Sequence, residues 1–353
     1  MGWAATPSSS LVRLGGGVPS LGPGARAPRA DPPGGVVPGV TVWCPGVQQL
    51  TSWYIRRSPV SPARPGTVVG LIGSGIGPSL SPQLHEAEAD ALGLRYVYRR
   101  LDIDALGLRP DQVGELVRAA QLAGYDGLNI THPCKQLVLE HLDDLSPDAA
   151  ALGAVNTVVL ADGRAVGHNT DWSGFARNVD RGLPDAAMDR VVLLGAGGAG
   201  AAVAHALLTL GTDRLTVLDV DAARATELAR ALTGRFGAGR AEGGDLTGLG
   251  TALAAADGLV HATPTGMAAH PGSPVPADLL RPELWVADIV YRPLATELVT
   301  TARERGCRVL DGGGMAVFQA VDSFRLFTGL EPDADRMLAH FAALVDPAGS
   351  PVG

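Results

Sequence analysis

The chain has 353 residues, 46% of them hydrophobic, which is enough for sizeable apolar cores and, as a prior, for two domains of a soluble protein. Its formal net charge of −8, with no basic stripe, argues against nucleic acid or an anionic membrane surface as the main partner. No run of about 18 apolar residues occurs, so no membrane-spanning helix is predicted. Cys44, Cys134 and Cys307 lack ligand spacing, which favours a reduced, cytoplasmic protein without disulfides or a structural metal.

The first 66 residues differ in composition from the rest of the chain. They are rich in glycine, proline and arginine, contain Asp31 as their one acidic residue, and lack the uninterrupted apolar stretch of a secretory signal. Such a mixture cannot bury enough apolar surface to offset the entropy of ordering. We therefore predict a disordered extension over residues 1–66, with an over-extended gene start as the alternative, and a short tail over residues 346–353.

The first ordered element is predicted to be a buried strand over residues 67–72, followed by a glycine-rich loop and a helix that starts at Pro82. Ser79 and Ser81 lie in this loop. Local chemistry makes Ser81 an N-cap, and a helix start with an extra hydroxyl group also suits a carboxylate ligand. The two interpretations are compatible.

A strand, a helix and a second strand over residues 96–103, 110–123 and 127–130 predict a parallel βαβ unit. Lys135 follows the second strand, at the edge where open α/β sheets bind ligands. It is the only lysine, because the other 27 of the 28 Lys and Arg residues are arginines. Unlike a guanidinium, an ammonium group can lose its proton when desolvated, so we interpret Lys135 as a proton-transfer residue. A surface lysine present by chance is the alternative.

A β-hairpin is predicted next, from residue 152 to residue 171, with its turn at Asp162-Gly163. Asp171 stands directly before a helix with apolar residues at helical spacing. Its local interpretation is again an N-cap.

A dinucleotide fingerprint opens the second half of the chain. The run Gly195-Ala196-Gly197-Gly198-Ala199-Gly200 lies between a predicted strand and an Ala-rich helix, and a further strand ends at Asp219, 19 residues after Gly200. Gly195 allows the tight turn, Gly197 lets the backbone approach a pyrophosphate, and Gly200 lets the helix pack on the strand. A glycine-rich turn without a ligand is the alternative.

Asp219 bears on the choice of cofactor. A carboxylate at the end of the second strand accepts hydrogen bonds from a ribose 2′-hydroxyl and repels a 2′-phosphate, so NAD is predicted over NADP. Arg224 can bind a phosphate or stack on adenine, which keeps NADP open, and Asp221 is the alternative ribose ligand. Further along, Gly314 is interpreted as a position where backbone approaches a flat ring.

Taken together, these patterns resemble the shikimate dehydrogenase family over essentially all of residues 67–345. The matching motifs are Ser79-Leu80-Ser81-Pro82, Asn129-Ile130-Thr131-His132-Pro133-Cys134-Lys135, Gly153-Ala154-Val155-Asn156-Thr157, Asn169-Thr170-Asp171, the run from Gly195 to Gly200, Ala262-Thr263-Pro264, and Asp311 to Gln319. The resemblance implies a two-domain α/β protein with a cleft between the domains. The substrate domain would have an open, mostly parallel sheet over residues 67–172 and would be completed by helices within residues 316–345. The second domain, over residues 173–315, would be a Rossmann NAD(P)-binding domain.

The resemblance also implies an oxidoreductase that interconverts shikimate and 3-dehydroshikimate, and also quinate and 3-dehydroquinate, as in chorismate and aromatic amino acid biosynthesis. Lys135 and Asp171 would form the catalytic pair. Substrate would be bound by Ser79, Ser81, Asn129, Thr131, Asn156, Tyr291 and Gln319. The cofactor would be bound by Gly195, Ala196, Gly197, Gly198, Ala199, Gly200, Asp219, Arg224, Thr263 and Gly314.

Some positions depart from the common family pattern. Ser74-Gly75 and Pro78 stand where many members have Asn-Pro and a histidine, and His261 replaces an asparagine. The glycine-rich first loop and Asp219 are more similar to the NAD-using quinate/shikimate branch, although members that use quinate well often have threonine in place of Ser81. The ranking of shikimate and quinate therefore stays open.

Two other interpretations are compatible with the motifs, namely an aminoshikimate dehydrogenase and a non-catalytic relative that binds a nucleotide or metabolite. A non-catalytic relative is expected to lack the pair formed by Lys135 and Asp171. The sequence is compatible with a homodimer but does not require one.

Overall fold

The structure is a computed structural model and describes residues 66–345. The disordered extension predicted over residues 1–66 lies outside the described residues except for Gly66, and the tail predicted over residues 346–353 lies outside them entirely. Over the range that the structure describes, no helix is both long and apolar enough to cross a membrane.

The first sheet has six strands in the order β2-β1-β3-β5-β6-β4. They are β1 (Thr67–Gly73), β2 (Tyr96–Asp102), β3 (Gly127–Ile130), β4 (Asp144–Leu145), β5 (Thr157–Ala161) and β6 (Arg164–His168). Pairing is parallel for β1 with β2 and β3 and for β4 with β6, and it is antiparallel for β5 with β3 and β6. The sheet is therefore open and mostly parallel, as predicted.

Four helices belong to this half of the chain: α1 (Ser81–Ala91), α2 (Val113–Leu122), α3 (Cys134–Leu137) and α4 (Pro147–Leu152). Short 3-10 helices cover Pro110–Gln112 and Val138–His141. β3 is buried along its whole length, as is typical of the central strands of a parallel sheet.

The hairpin turns where the sequence predicts. Asp162 and Gly163 both have positive φ, 51° and 75°, as a two-residue type I′ turn requires. The predicted start of its first strand at residue 152 is wrong, because α4 occupies residues 147–152. Ser146 caps α4 by accepting the N–H of Ala149 at 3.3 Å.

The second sheet is fully parallel, in the order β12-β11-β10-β7-β8-β9. Its strands are β7 (Arg190–Leu194), β8 (Arg214–Leu218), β9 (Ala241–Gly244), β10 (Gly258–His261), β11 (Trp285–Asp288) and β12 (Arg308–Leu310). The helices between them are α6 (Gly198–Thr209), α7 (Ala222–Phe236), α8 (Leu249–Ala254) and α9 (Glu297–Glu304), with 3-10 helices at Leu246–Gly248 and Ala277–Leu279. This is the doubly wound order of a Rossmann domain, and its switch point lies between β7 and β10.

Helices α5 (Asp171–Gly182) and α10 (Gly312–Thr328) connect the two sheets, and α11 (Ala334–Val345) follows α10. The predicted domain boundaries at 172/173 and 315/316 therefore fall inside helices. Glycines let α5 and α10 approach each other. A Cβ at Gly174 would lie 2.7 Å from the backbone nitrogen of Gln319, and one at Gly314 would lie 1.9 Å from Oδ1 of Asn178. Packing against Asn178 is thus a sufficient reason for the glycine at position 314.

Polar contacts fasten the same two helices. Ser173 and Arg177 of α5 donate to the largely buried carboxylate of Asp322 in α10, at 2.6 and 2.9 Å. At the other end, Arg336 of α11 donates to both oxygens of Glu88 in α1, whose side chain is 1% exposed. The C-terminal helices are therefore tied to the first half of the chain.

We predict that Gly174→Ala lowers the free energy of unfolding by about 1–3 kcal/mol, because the added methyl group collides with the α10 backbone. Gly234→Ala is the matched control. Gly234 lies in α7, and a Cβ there would meet nothing within 4 Å, so this change should stabilise the protein by about 0.4–1 kcal/mol. Urea unfolding measures both. Equal effects of the two substitutions would show that the α5–α10 contact is loose.

Candidate active site

Lys135 and Asp171 form the central pair of the site. Lys135 lies in α3, just beyond the carboxyl end of β3, and Asp171 is the first residue of α5. The Lys135 Nζ donates to Asp171 Oδ2 at 2.6 Å. The two side chains are 24% and 11% exposed, so the pair is largely shielded from water but not sealed off. The structure thus brings together the two residues predicted to handle the proton.

The predicted N-cap role of Asp171 is wrong. The cap position of α5 is Thr170, and the Asp171 carboxylate makes no cap hydrogen bond. Its second oxygen, Oδ1, accepts the amide N–H of Asn156 at 2.9 Å. The Asn156 Oδ1 in turn accepts the backbone N–H of Thr170 at 2.7 Å, which fixes the orientation of this amide. Each carboxylate oxygen therefore has its own donor.

The hydrogen-bonded chain continues away from the pair. Thr157 Oγ1 donates to Asn156 Oδ1 at 3.1 Å and accepts from the Asn129 amide at 3.2 Å. The Tyr98 hydroxyl donates to Asn129 Oδ1 at 2.7 Å. Burial raises the pKa of the Tyr98 phenol, so this donor keeps its proton. The predicted substrate residues Asn129 and Asn156 are thus held by one network with the pair.

Sequence reasoning missed Tyr98. It stands opposite Val69 in the pairing of β2 with β1. This register carries its hydroxyl to Asn129. Nothing local to position 98 signals this role.

The two predicted carboxylate ligands lie side by side. The Ser79 hydroxyl donates to the Ser81 hydroxyl at 3.3 Å, and the Ser81 N–H donates to Ser79 Oγ at the same distance. The predicted N-cap role of Ser81 is wrong, because Leu80 occupies the cap position of α1 and Ser81 is its first residue. Its hydroxyl is therefore not used as a cap and is placed for another acceptor or donor.

Tyr291 lies in the loop after β11 of the second sheet. Partial burial raises the pKa of its phenol, and the nearby charges of Arg292 and Lys135 act against that rise. The charge of Asp171 adds to it. Tyr291 thus lies within electrostatic range of both members of the pair.

The other two predicted substrate residues, Thr131 and Gln319, are located by contacts with residues outside the pair. A Cβ at Gly73 would lie 2.3 Å from the Thr131 methyl group, so the end of β1 packs closely on Thr131. The Gln319 amide donates to the carbonyl of Ala316 in its own helix, at 2.9 Å, rather than to the pair. Its backbone lies against Gly174, one turn after Asp171.

The glycine-rich turn has the shape that the fingerprint predicts. Gly195 has a φ of 106°, and a Cβ there would lie 2.6 Å from the carbonyl oxygen of Ala262. A Cβ at Gly200 would lie 2.0 Å from the carbonyl oxygen of Gly195. At Gly197 and Gly198, where α6 begins, a Cβ would meet nothing within 4 Å. The open side of the turn faces space, as binding of a pyrophosphate at this helix start requires.

Asp219 stands at the end of β8 and is 7% exposed. Its oxygens accept the N–H of Ala196 at 2.7 Å and the N–H of Asp221 at 2.9 Å. Asp221 caps α7 instead, accepting from the N–H groups of residues 223 and 224. The Arg224 guanidinium is exposed and lies 3.8 Å from Asp221. Of the two carboxylates, Asp219 is the one fixed against the glycine turn.

A buried network around His261 was also missed as a site feature, although the sequence showed a histidine in place of the usual asparagine. His261 Nδ1 lies 2.9 Å from Asp288 Oδ1, and Thr296 donates to Asp288 Oδ2 at 2.6 Å. His261 Nε2 lies 2.5 Å from the hydroxyl of Thr263, which also accepts the N–H of Thr265. Each ring nitrogen of His261 thus lies within hydrogen-bond distance of one partner, Asp288 or Thr263. The network thereby orients the predicted cofactor residue Thr263.

A doubly wound sheet with an open glycine turn is joined through α5 and α10 to a second α/β sheet, which carries the pair of Lys135 and Asp171. This fold and site define a two-domain nicotinamide-dependent dehydrogenase. Residues 71–158 match the family model described as the shikimate dehydrogenase substrate binding domain, and residues 312–340 match that of the shikimate 5'-dehydrogenase C-terminal domain. The chain belongs to the shikimate dehydrogenase family, which confirms the resemblance predicted from the motifs and the predicted fold class.

Individual relatives extend this match along the chain. A shikimate dehydrogenase (NADP(+)) of Streptomyces avermitilis is 68% identical over 281 residues, covering 80% of this chain and 97% of the relative. A quinate/shikimate dehydrogenase (NAD(+)) of Corynebacterium efficiens is 53% identical over 278 residues, covering 78% and 98%. A solved quinate dehydrogenase from Corynebacterium glutamicum in complex with NAD is 50% identical, covers 79% of this chain and 99% of that one, and superposes with a TM-score of 0.75.

Proposed function

We propose that this protein is a dehydrogenase that interconverts shikimate and 3-dehydroshikimate, that it also accepts quinate, and that it prefers NAD. The observation that carries the proposal is the hydrogen bond between Lys135 and Asp171, at 2.6 Å, in a member of this family. A cytoplasmic location and a homodimer stay predictions from the sequence.

The polar side chains around the pair fit a small polyhydroxy acid. Ser79 and Ser81 offer two adjacent hydroxyl groups to the carboxylate, and Tyr291 approaches from the other sheet. The side chains proposed to hold the ring hydroxyls are Asn129, Thr131, Asn156 and Gln319. Because Asn129 and Asn156 are oriented by their own hydrogen bonds, they are pre-organised for such a ligand.

The chemistry requires removal of a hydroxyl proton while a hydride leaves the same carbon. The nicotinamide, when bound, supplies the hydride acceptor. Lys135 takes the proton from the hydroxyl group, which a positioned base accelerates typically by ~10²–10⁴-fold. Asp171 holds the Nζ in place and stabilises the ammonium that forms. Asn156 keeps Asp171 from turning away, since it donates to the other carboxylate oxygen.

The cofactor site fits a dinucleotide, because Gly197 and Gly198 leave the start of α6 open. The preference for NAD rests on Asp219, whose buried carboxylate lies against the glycine turn. A second lone pair on each of its oxygens can accept a ribose hydroxyl, whereas a 2′-phosphate would meet a fixed negative charge. The relatives are divided on this point. The Streptomyces protein is named for NADP, the Corynebacterium efficiens protein is named for NAD, and the solved Corynebacterium glutamicum protein is in complex with NAD.

We expect Lys135→Ala to lower kcat for shikimate oxidation by roughly 10²–10⁴-fold with a smaller change in KM. Lys135→Arg should fail similarly, because a guanidinium keeps the positive charge but cannot accept the proton. Initial rates of NADH formation measure both, and NADH fluorescence titration checks that the cofactor site is intact. Turnover by Lys135→Arg near the wild-type level would mean that the charge, not the proton transfer, matters.

We expect Asp219→Ser to move the ratio of kcat/KM for NAD to that for NADP toward NADP by roughly tenfold or more, because the repelling charge is lost. Asp221→Ser is the matched control. It also removes a carboxylate, but serine can still cap α7, so the ratio should stay within about twofold, the range of a surface change. The reverse ranking of the two variants would assign the ribose to Asp221.

A further inference from the structure

Two arginines hold the backbone of the serine loop, defined here as Gly77–Ser81. Arg100 of β2, on the same sheet, donates to the carbonyl oxygen of Ser79 at 2.7 Å and to the side chain of Gln83 at 3.3 Å. Arg292, in the loop after β11 of the second sheet, donates to the carbonyl oxygen of Pro78, 214 residues away in sequence. Each half of the protein thus contributes one guanidinium group, and the two groups donate to the carbonyls of two adjacent residues, Pro78 and Ser79.

Neither guanidinium is neutralised by a carboxylate. Among residues 66–345, no Asp or Glu oxygen lies within 4.0 Å of Arg100 or Arg292. Arg177, Arg325 and Arg336, by contrast, each pair with a carboxylate. Carbonyl oxygens are dipoles and leave the full positive charge in place. What distinguishes Arg100 and Arg292 from other exposed arginines is that both guanidinium groups converge on adjacent carbonyl groups of one loop.

Arg292 differs from Arg100 because it reaches the loop from the opposite sheet. Tyr291, its neighbour in sequence, lies near Lys135 and Asp171. The Tyr291-Arg292 segment therefore contacts the serine loop through Arg292 and lies within electrostatic range of the catalytic pair through Tyr291. Both residues are exposed, so the hydrogen bond to Pro78 competes with water and adds little to the stability of the fold.

We propose that Arg292 is a specificity-determining residue for the substrate carboxylate, one that brings the second sheet's loop onto the serine loop and places a positive charge beside Ser79 and Ser81. This inference rests on the proposed function. The hydroxyl groups supply directional hydrogen bonds, and the arginine supplies the charge that those neutral groups lack. An exposed cation that lies near a bound anion changes the affinity for that anion by roughly two- to fivefold, and salt screens this effect.

The test compares Arg292→Gln, Arg292→Lys and a control, Arg118→Gln, with the wild type. Arg118 is an exposed arginine of α2 and has no ion pair among the described residues. Initial rates with NAD are measured for shikimate and for its uncharged methyl ester, at low and high salt. Isothermal titration calorimetry with shikimate measures the affinity of the same proteins independently of turnover.

Arg292→Gln should raise KM for shikimate by roughly two- to fivefold with kcat essentially unchanged, and this difference should shrink at high salt. KM for the methyl ester should not change, Arg292→Lys should restore most of the loss, and Arg118→Gln should behave like the wild type. An equal rise in KM for acid and ester, or unaltered shikimate affinity in Arg292→Gln, overturns the inference. Wild-type protein that binds shikimate without oxidising it overturns the proposed function alone, and protein that does not bind shikimate overturns both.

Discussion

The hydrogen bond between Lys135 and Asp171 is the interaction on which the site depends. A carboxylate that is largely removed from water is costly unless donors satisfy both of its oxygens. Lys135 and Asn156 do so from α3 and from the start of β5, and Asn156 is held in turn by Thr157 and Thr170. The network therefore fixes the position of the amine relative to the first sheet.

The same pair lies at the joint between the two sheets. Asp171 begins α5, the helix that packs against α10 through Gly174 and Gly314. Arg292 provides a second connection between the two halves, made by loops rather than by helices, through its hydrogen bond to the carbonyl oxygen of Pro78.

Features written in local patterns could be predicted from the sequence, and features that depend on register or long-range contact could not. The single lysine, the glycine fingerprint and the Asp162-Gly163 turn carry their own chemical reasons, and they led to the family and the fold. Local reasoning failed at Asp171, because Lys135 and Asn156 bind its carboxylate from other parts of the chain. It failed at Ser81 because the helix begins one residue earlier than predicted, so that Leu80 takes the cap position. Tyr98 and the His261 network became visible only through strand pairing and burial.

Because Lys135 is the only lysine in the chain, NMR of protein labelled with ¹⁵N-lysine reports on this amine alone. We predict a single side-chain resonance with slow proton exchange, shifted in Asp171→Asn and shifted again when shikimate is added to the wild type. A rapidly exchanging resonance, unaffected by the Asp171 substitution and by shikimate, would contradict the account, because it would place the amine in bulk water and away from both its partner and the substrate.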